Sequence, residues 1–208
     1  MRKSILLLAL ASGLSMIAAQ NAMAGNRPGA ITLTVGTAYD FFADKRNLVN
    51  TWLIPSAALA YNFDENWAIE GAWGTFGTSQ STSAGAGGVK GDLYTVDGLY
   101  RFGTYNFYQK LDPYVSAGLG VYHINPNGTN AENLANFNAG VGTQMFFDDS
   151  IALRAEVRDL YTFAGGKNDV TVGFGVSILF GGHTDKPEPV SPYKGDEVKV
   201  VPSTLKGE

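Results

Sequence analysis

The chain has 208 residues, no cysteine and a net charge of −4, with 16% charged residues, 12% aromatics and 26 glycines. The lack of cysteine excludes disulfides, a thiol catalyst and a lipid anchor on an N-terminal cysteine. The acidic balance, 13 basic residues against 19 acidic once Arg2 and Lys3 are set aside, excludes nucleic acid as the expected partner. A soluble domain carries about a quarter charged residues. Low charge, many glycines and a mean hydropathy of −0.03 suit strands that alternate lipid-facing and interior positions.

The first element is a processing signal. Arg2 and Lys3 form a basic start, Ile5 to Leu14 an apolar stretch, and Ala22-Met23-Ala24 a small-x-small cleavage site. This predicts a cleaved signal peptide over residues 1–24, with Gly25 first in the mature chain. The apolar stretch is shorter than the roughly 20 residues a bilayer-spanning helix needs, and no later segment reaches that length without a charge.

Eight strands follow, near the 9–11 residues of a tilted membrane strand. In the first, Ala30 to Phe42, Ile31, Leu33, Val35, Tyr39 and Phe41 share one face, and Thr32, Thr34, Gly36, Ala38 and Asp40 the other. The second, Thr51 to Phe63, places Leu53, Ala57, Leu59, Tyr61 and Phe63 outward, and Pro55 inside it marks a weak point or a bulge. Asp64-Glu65-Asn66 is a tight turn. The third, Trp67 to Phe76, has Trp67, Ile69 and Trp73 outward and Glu70 inward; Trp52, Trp73 and Phe76 are expected in an upper aromatic girdle. Gly77 to Gly91 reads as a flexible Gly/Ser-rich loop.

The fourth strand, Asp92 to Phe102, turns Tyr94, Val96, Tyr100 and Phe102 out and Thr95, Asp97 and Arg101 in. In the fifth, Pro113 to Ile124, Gly118 and Gly120 alternate with Leu119 and Val121, and small residues on both sides leave the faces open. A polar loop, Asn125 to Asn133, leads to the sixth, Leu134 to Phe147, with Phe137, Val141, Met145 and Phe147 out and Asn136, Asn138 and Gln144 in. Asp148-Asp149-Ser150 is a second tight turn. The seventh, Ile151 to Tyr161, sets Ile151, Leu153, Ala155 and Val157 against Arg154, Glu156 and Arg158. The eighth, Val170 to Phe180, puts Val170, Val172, Phe174, Val176, Ile178 and Phe180 on one face.

No helix accompanies these strands to cover their apolar faces, so the simplest solvent for those faces is lipid. The fold class expected is therefore all-β, an eight-stranded antiparallel up-and-down transmembrane barrel spanning residues 25–181. Residues 182–208, rich in Pro and charge, read as a disordered tail. The short turns after the second and sixth strands, against long connections after the first, third, fifth and seventh, place both chain ends in the periplasm and the loops outside. Aromatics gather at the periplasmic strand ends: Tyr61, Phe63, Trp67, Tyr100, Phe102, Phe147 and Phe180.

The turn Tyr61 to Trp67, Leu99-Tyr100-Arg101-Phe102, the run Pro113 to Gly120 and the closing Gly175 to Phe180 together resemble the membrane domain of the OmpA-like outer-membrane family. The resemblance covers about Ala30 to Phe180. It implies an integral outer-membrane barrel in contact with the bilayer and lipopolysaccharide. It also implies that the terminal Phe180 serves as the signal read by the barrel assembly machinery. Many family members continue into a periplasmic peptidoglycan-binding domain, for which residues 182–208 are too short.

Interior charges are the candidate site: Glu70, Asp97, Arg101, Arg154, Glu156 and Arg158. An eight-stranded barrel is just wide enough for side chains to fill, and charges buried there persist when paired. They make either a salt-bridged plug or a gate for a narrow ion path. The resemblance implies an interior Glu/Arg/Lys network, with Glu70 and Arg101 the best-matching positions. The functional alternatives are a small porin-like channel, an outer-membrane lipid-modifying enzyme and a soluble carrier barrel with its apolar residues inside. An enzyme would need a histidine beside a serine. His183 lies in the tail, and His123, near the outer end of the fifth strand, has Tyr122, Ile124 and Asn125 as chain neighbours. No metal, phosphate or dinucleotide motif is present, so neither catalysis nor a cofactor is expected. The outer loops offer a surface for ligands without naming one.

Overall fold

The computed structural model describes residues 26–81, 87–103, 105–107, 109–126 and 130–182. The expected signal peptide, the tail with His183, and residues 127–129 of the expected polar loop Asn125 to Asn133 lie outside them. Nine strands form a single antiparallel sheet: β1 (Ala30–Phe41), β2 (Thr51–Asn62), β3 (Trp67–Ser79), β4 (Gly88–Arg101), β5 (Tyr105–Phe107), β6 (Gln109–Pro126), β7 (Glu132–Phe146), β8 (Ile151–Thr162) and β9 (Lys167–Gly181). Each long strand pairs with its neighbours in the chain, β1 pairs with β9, and β4 pairs with β6 from Val89↔Pro126 to Arg101↔Tyr114. The eight long strands therefore close into a barrel. Short β5 pairs only with β6, as a hairpin in the connection after β4. Closure leaves no open edge in the wall, which is what a chain in lipid requires of a sheet. No helix among the described residues is long and apolar enough to cross a membrane.

The wall has the polarity of a membrane protein. Leu59, Val96, Leu119 and Phe174 are 57%, 58%, 62% and 56% exposed on its outside. Contiguous apolar patches on soluble monomers rarely exceed a few hundred Å²; here the apolar surface encircles the molecule. Inward positions at mid-height are polar or small, and larger apolar side chains such as Leu53, Phe76, Leu99 and Leu160 turn in toward the two ends. The broad apolar outer face runs against the soluble carrier, which would keep its apolar residues inside. Aromatic pairs ring the wall near both ends. At the end where β1 begins and β9 ends, Tyr61 meets Phe63 at 5.4 Å and Tyr100 stands between Trp67 at 4.9 Å and Phe102 at 5.4 Å. At the other end, Tyr39 meets Phe41 and Trp52 at 4.8 and 5.0 Å.

The two tight turns share one device. The Asp64 carboxylate accepts the backbone N–H of Asn66 at 2.7 Å and of Trp67 at 2.6 Å. Asp148 does the same for Ser150 and Ile151 at 2.7 and 2.8 Å. An aspartate two or three residues ahead of the donors mimics a backbone turn, so these reversals are written locally.

Three expectations need correction. Both flanks of Gly77 to Gly91 are strand, with Gly77, Thr78 and Ser79 paired to Lys90, Val89 and Gly88; the β3–β4 ladder runs past the apolar band, where alternation no longer marks it. Leu53 points inward, 3% exposed. Between Leu53 and Ser56, β2 carries one residue more than either neighbour. That bulge, at Pro55, shifts the phase so that Trp52 rather than Leu53 faces out. Phe76 also points inward, 4% exposed, as the alternation from Glu70 requires.

Candidate functional site in the barrel lumen

Alternation places Arg154, Glu156 and Arg158 of β8 on the inner face, about 6.8 Å apart. Opposite them, Glu70 of β3 and Asp97 of β4 are directly paired in register. Two carboxylates facing each other across adjacent strands repel, and the β8 arginines answer both. Arg154 reaches across the lumen with both terminal nitrogens on Glu70, Nη2 at 2.8 Å from Oε1 and Nη1 on Oε2. Arg158 Nη1 donates to Asp97 at 2.6 Å and to Thr95 at 3.0 Å. Glu156 braces the two arginines, accepting from Arg154 at 2.6 Å and from Arg158 at 2.7 Å. Tyr114 accepts from Arg154 Nε at 2.6 Å and donates to Glu156 at 3.1 Å, and Ser116 donates to the other oxygen of Glu156 at 3.1 Å. Glycines clear the space: a Cβ on Gly142 would lie 2.4 Å from the Tyr114 ring, and one on Gly118 would lie 2.2 Å from Asp97.

Arg101 stands apart from this network. It lies nearer the end where β1 begins and β9 ends, and donates to Asp112 at 3.1 Å and Gln144 at 2.5 Å. Gln144 donates to Ser177 at 3.1 Å, which lies 2.8 Å from the Thr34 hydroxyl. These residues form a polar belt across the base. Glu70 and Arg101, the two positions that best match the family's interior network, thus stand in separate layers; the neighbour-strand partner of Glu70 is Asp97, and its cation comes from β8. The remaining expected charges, Asp97, Arg154, Glu156 and Arg158, are brought together.

A third layer was not anticipated. At the loop end, Arg46 from the β1–β2 connection enters the mouth and donates to Asp169 at 2.7 Å and Thr162 at 2.5 Å, with its guanidinium 4.9 Å from the centre of the Tyr122 ring. Tyr122 donates to Asp40 at 3.3 Å, and Thr171 also donates to Asp40. Phe42, Leu53, Phe76 and Leu160 pack around this layer. Strand phase already places Asp40 inward, but nothing in a loop pattern turns Arg46 inward.

Between the mouth and the middle network lies a cavity of about 120 Å³ on the β9–β1–β2–β3 side, where Gly36, Ala38, Ala58, Ala72 and Gly74 leave space. Among the described residues no group of three or more His, Cys, Asp and Glu side chains is placed to hold a metal ion. His123 is outside the lumen, on the wall near the rim, with Nδ1 2.7 Å from Asn133 Oδ1.

The profile of the OprF membrane domain matches residues 3–184. The chain belongs to this family of outer-membrane β-barrels. Outer membrane protein Omp38 of Acinetobacter baumannii is 31% identical over 126 residues, 56% of this chain and 35% of that protein, so the chain spans about a third of the length of the curated relatives it matches. Among solved structures, the N-terminal barrel of Pseudomonas aeruginosa OprF superposes with a TM-score of 0.52 at 19% identity, over 74% of this chain and all of that one. Pseudomonas aeruginosa OprG gives 0.55 at 12% identity over 75% and 98%. Neisserial surface protein A gives 0.54 at 13% over 75% and 100%. These likenesses share the eight-stranded fold, and membership places this OprF-like barrel in the outer-membrane bilayer.

Proposed function

We propose that this OprF-like barrel is a structural, surface-presenting outer-membrane protein whose lumen is sealed at rest and passes small ions when the middle charges exchange partners. The observation that carries this reading is the pair of hydrogen bonds from Arg154 to Glu70 across the lumen, with Arg158 Nη2 only 3.8 Å from Glu70 Oε1, the oxygen that accepts from Arg154 Nη2. A second cation beside the carboxylate lets Arg154 swing to Glu156, which it already contacts, without stranding a buried charge, a state costing several kcal/mol. The lumen layers hold six carboxyl groups, Asp40, Glu70, Asp97, Asp112, Glu156 and Asp169, against the four guanidiniums of Arg46, Arg101, Arg154 and Arg158. That excess favours cations as the ions that pass.

The Asp-locked turns at the terminus end and the folded connections at the other support chain ends in the periplasm and loops outside. Residues 182–208 then form a periplasmic tail after the signal peptide is removed, and Phe180 closes the last strand for the assembly machinery. The exposed lysines Lys45 and Lys90 at the loop end suit lipopolysaccharide phosphates, and the outer loops are the surface for further ligands.

Recording the refolded mature protein in a planar bilayer, beside Glu70→Ala, tests the reading. Rare small openings that become more frequent in Glu70→Ala are expected. Silence from both, with circular dichroism showing folded barrels, would reduce the charge set to a plug and leave function to the loops.

A further inference from the structure

Two arginine layers stand in the lumen: the middle one lines the cavity, and the upper one, supplied by a connection rather than a strand, lies above Leu53 and Thr171 of its lining. Asp44–Arg46 forms a single 3-10 turn, closed by Asn47 at φ 52° with its N–H on the Asp44 carbonyl at 3.1 Å. Asparagine accepts that left-handed backbone more readily than most residues. The turn is anchored on three sides. Ala43 N–H donates to Asp169 at 2.8 Å. Phe42 N–H donates to Asn50 at 2.9 Å. Ser81 N–H donates to the Asn47 carbonyl at 2.8 Å. Neighbouring Asp44 and Lys45 stay in solvent while Arg46 is 8% exposed. The turn therefore spends its geometry on delivering one side chain into the mouth. Beneath it, Ala38, Ser56, Ala58 and Ala72 line the chamber together with Glu70 and Arg158.

We propose that Arg46 is a latch: the β1–β2 turn holds its guanidinium on Asp169 and Thr162, closing the loop end of an internal chamber for water and small cations. The middle network closes the far side. The latch rests on the reading of the lumen as a narrow path only for its purpose; its closure of the chamber is a separate physical claim. It differs from the middle network in kind. Arg154 and Arg158 each have several carboxylates within reach, whereas the Arg46 charge has Asp169 as its salt-bridge partner. A short swing of one turn opens the mouth and leaves the wall intact.

The absence of native cysteine makes the test clean. Ala72→Cys puts a thiol in the chamber, and a small cationic methanethiosulfonate reagent reports its access in refolded protein held in lipid nanodiscs. Slow labelling is expected with Arg46 present. Arg46→Ala should accelerate it roughly tenfold or more, since labelling through an opened state scales with the population of that state. Arg46→Lys should keep most of the protection. Asp169→Asn should reproduce the acceleration and stands in if Arg46→Ala fails to refold, which heat-dependent gel mobility reveals. Labelling already fast with Arg46 present, or unchanged by Arg46→Ala in a folded barrel, overturns the latch. The outcomes separate from those of the bilayer recording. Silent bilayers with accelerated labelling sink the ion path and uphold the latch. Openings altered by Glu70→Ala, with labelling unmoved by Arg46→Ala, do the reverse.

Discussion

The middle of the lumen and its mouth use the same chemistry, arginine on carboxylate, in opposite ways. In the middle, Glu70, Asp97 and Glu156 share Arg154 and Arg158 through five ion pairs, with Tyr114, Ser116 and Thr95 adding hydrogen bonds. All five charges sit on strands, so their positions are as rigid as the wall. At the mouth, one arginine from a connecting turn meets one principal carboxylate. A shared network tolerates rearrangement without exposing a bare charge; a single pair is either made or broken. The first suits a scaffold that exchanges partners internally, the second a closure that swings.

Substitutions can break that contrast, beginning with the largest effect. Arg154→Ala strips Glu70 of its twofold partner and Glu156 of one of its two, in a buried site, and should cost about 3–5 kcal/mol. Urea unfolding of the protein refolded into vesicles measures it. Arg46→Ala removes one buried pair at the mouth; loss of the side chain admits water to Asp169, so it should cost about 1–3 kcal/mol in the same assay. If the mouth variant proved the costlier, the contrast between scaffold and closure would be reversed. Thr162→Val deletes one acceptor of the latch while Asp169 remains, and should cost only about 0.5–1.5 kcal/mol.

How much of this was legible in the sequence follows from where each contact is encoded. Alternation with period two carries the strands, the lipid face and the inward placement of Glu70, Asp97, Arg154, Glu156 and Arg158, because strand phase is a local property. The Asp-x-Asn and Asp-x-Ser turns are local too. The pairing of Glu70 with Arg154 is not: it depends on barrel closure and on which strands face each other across the lumen, 84 residues apart in the chain. Leu53 was misplaced because a bulge at Pro55 resets the phase, although the proline itself marked the spot. Phe76 was misplaced for another reason. Its parity with Glu70 already pointed inward, and its aromatic character near a strand end suggested a girdle. Arg46 carried no signal, since a connecting turn has no phase.

The claim that Glu70 and Arg154 form the principal bond across the lumen is tested most directly by a double-mutant cycle. Glu70→Ala, Arg154→Ala and the double variant are refolded into vesicles, and their unfolding free energies are compared with that of the unaltered barrel. Direct partners should show coupling of about 1–3 kcal/mol, the double variant losing less than the sum of the two single losses. Losses that add to within about 0.5 kcal/mol would mean the two charges act independently, and the sealed, partner-exchanging lumen would have no basis.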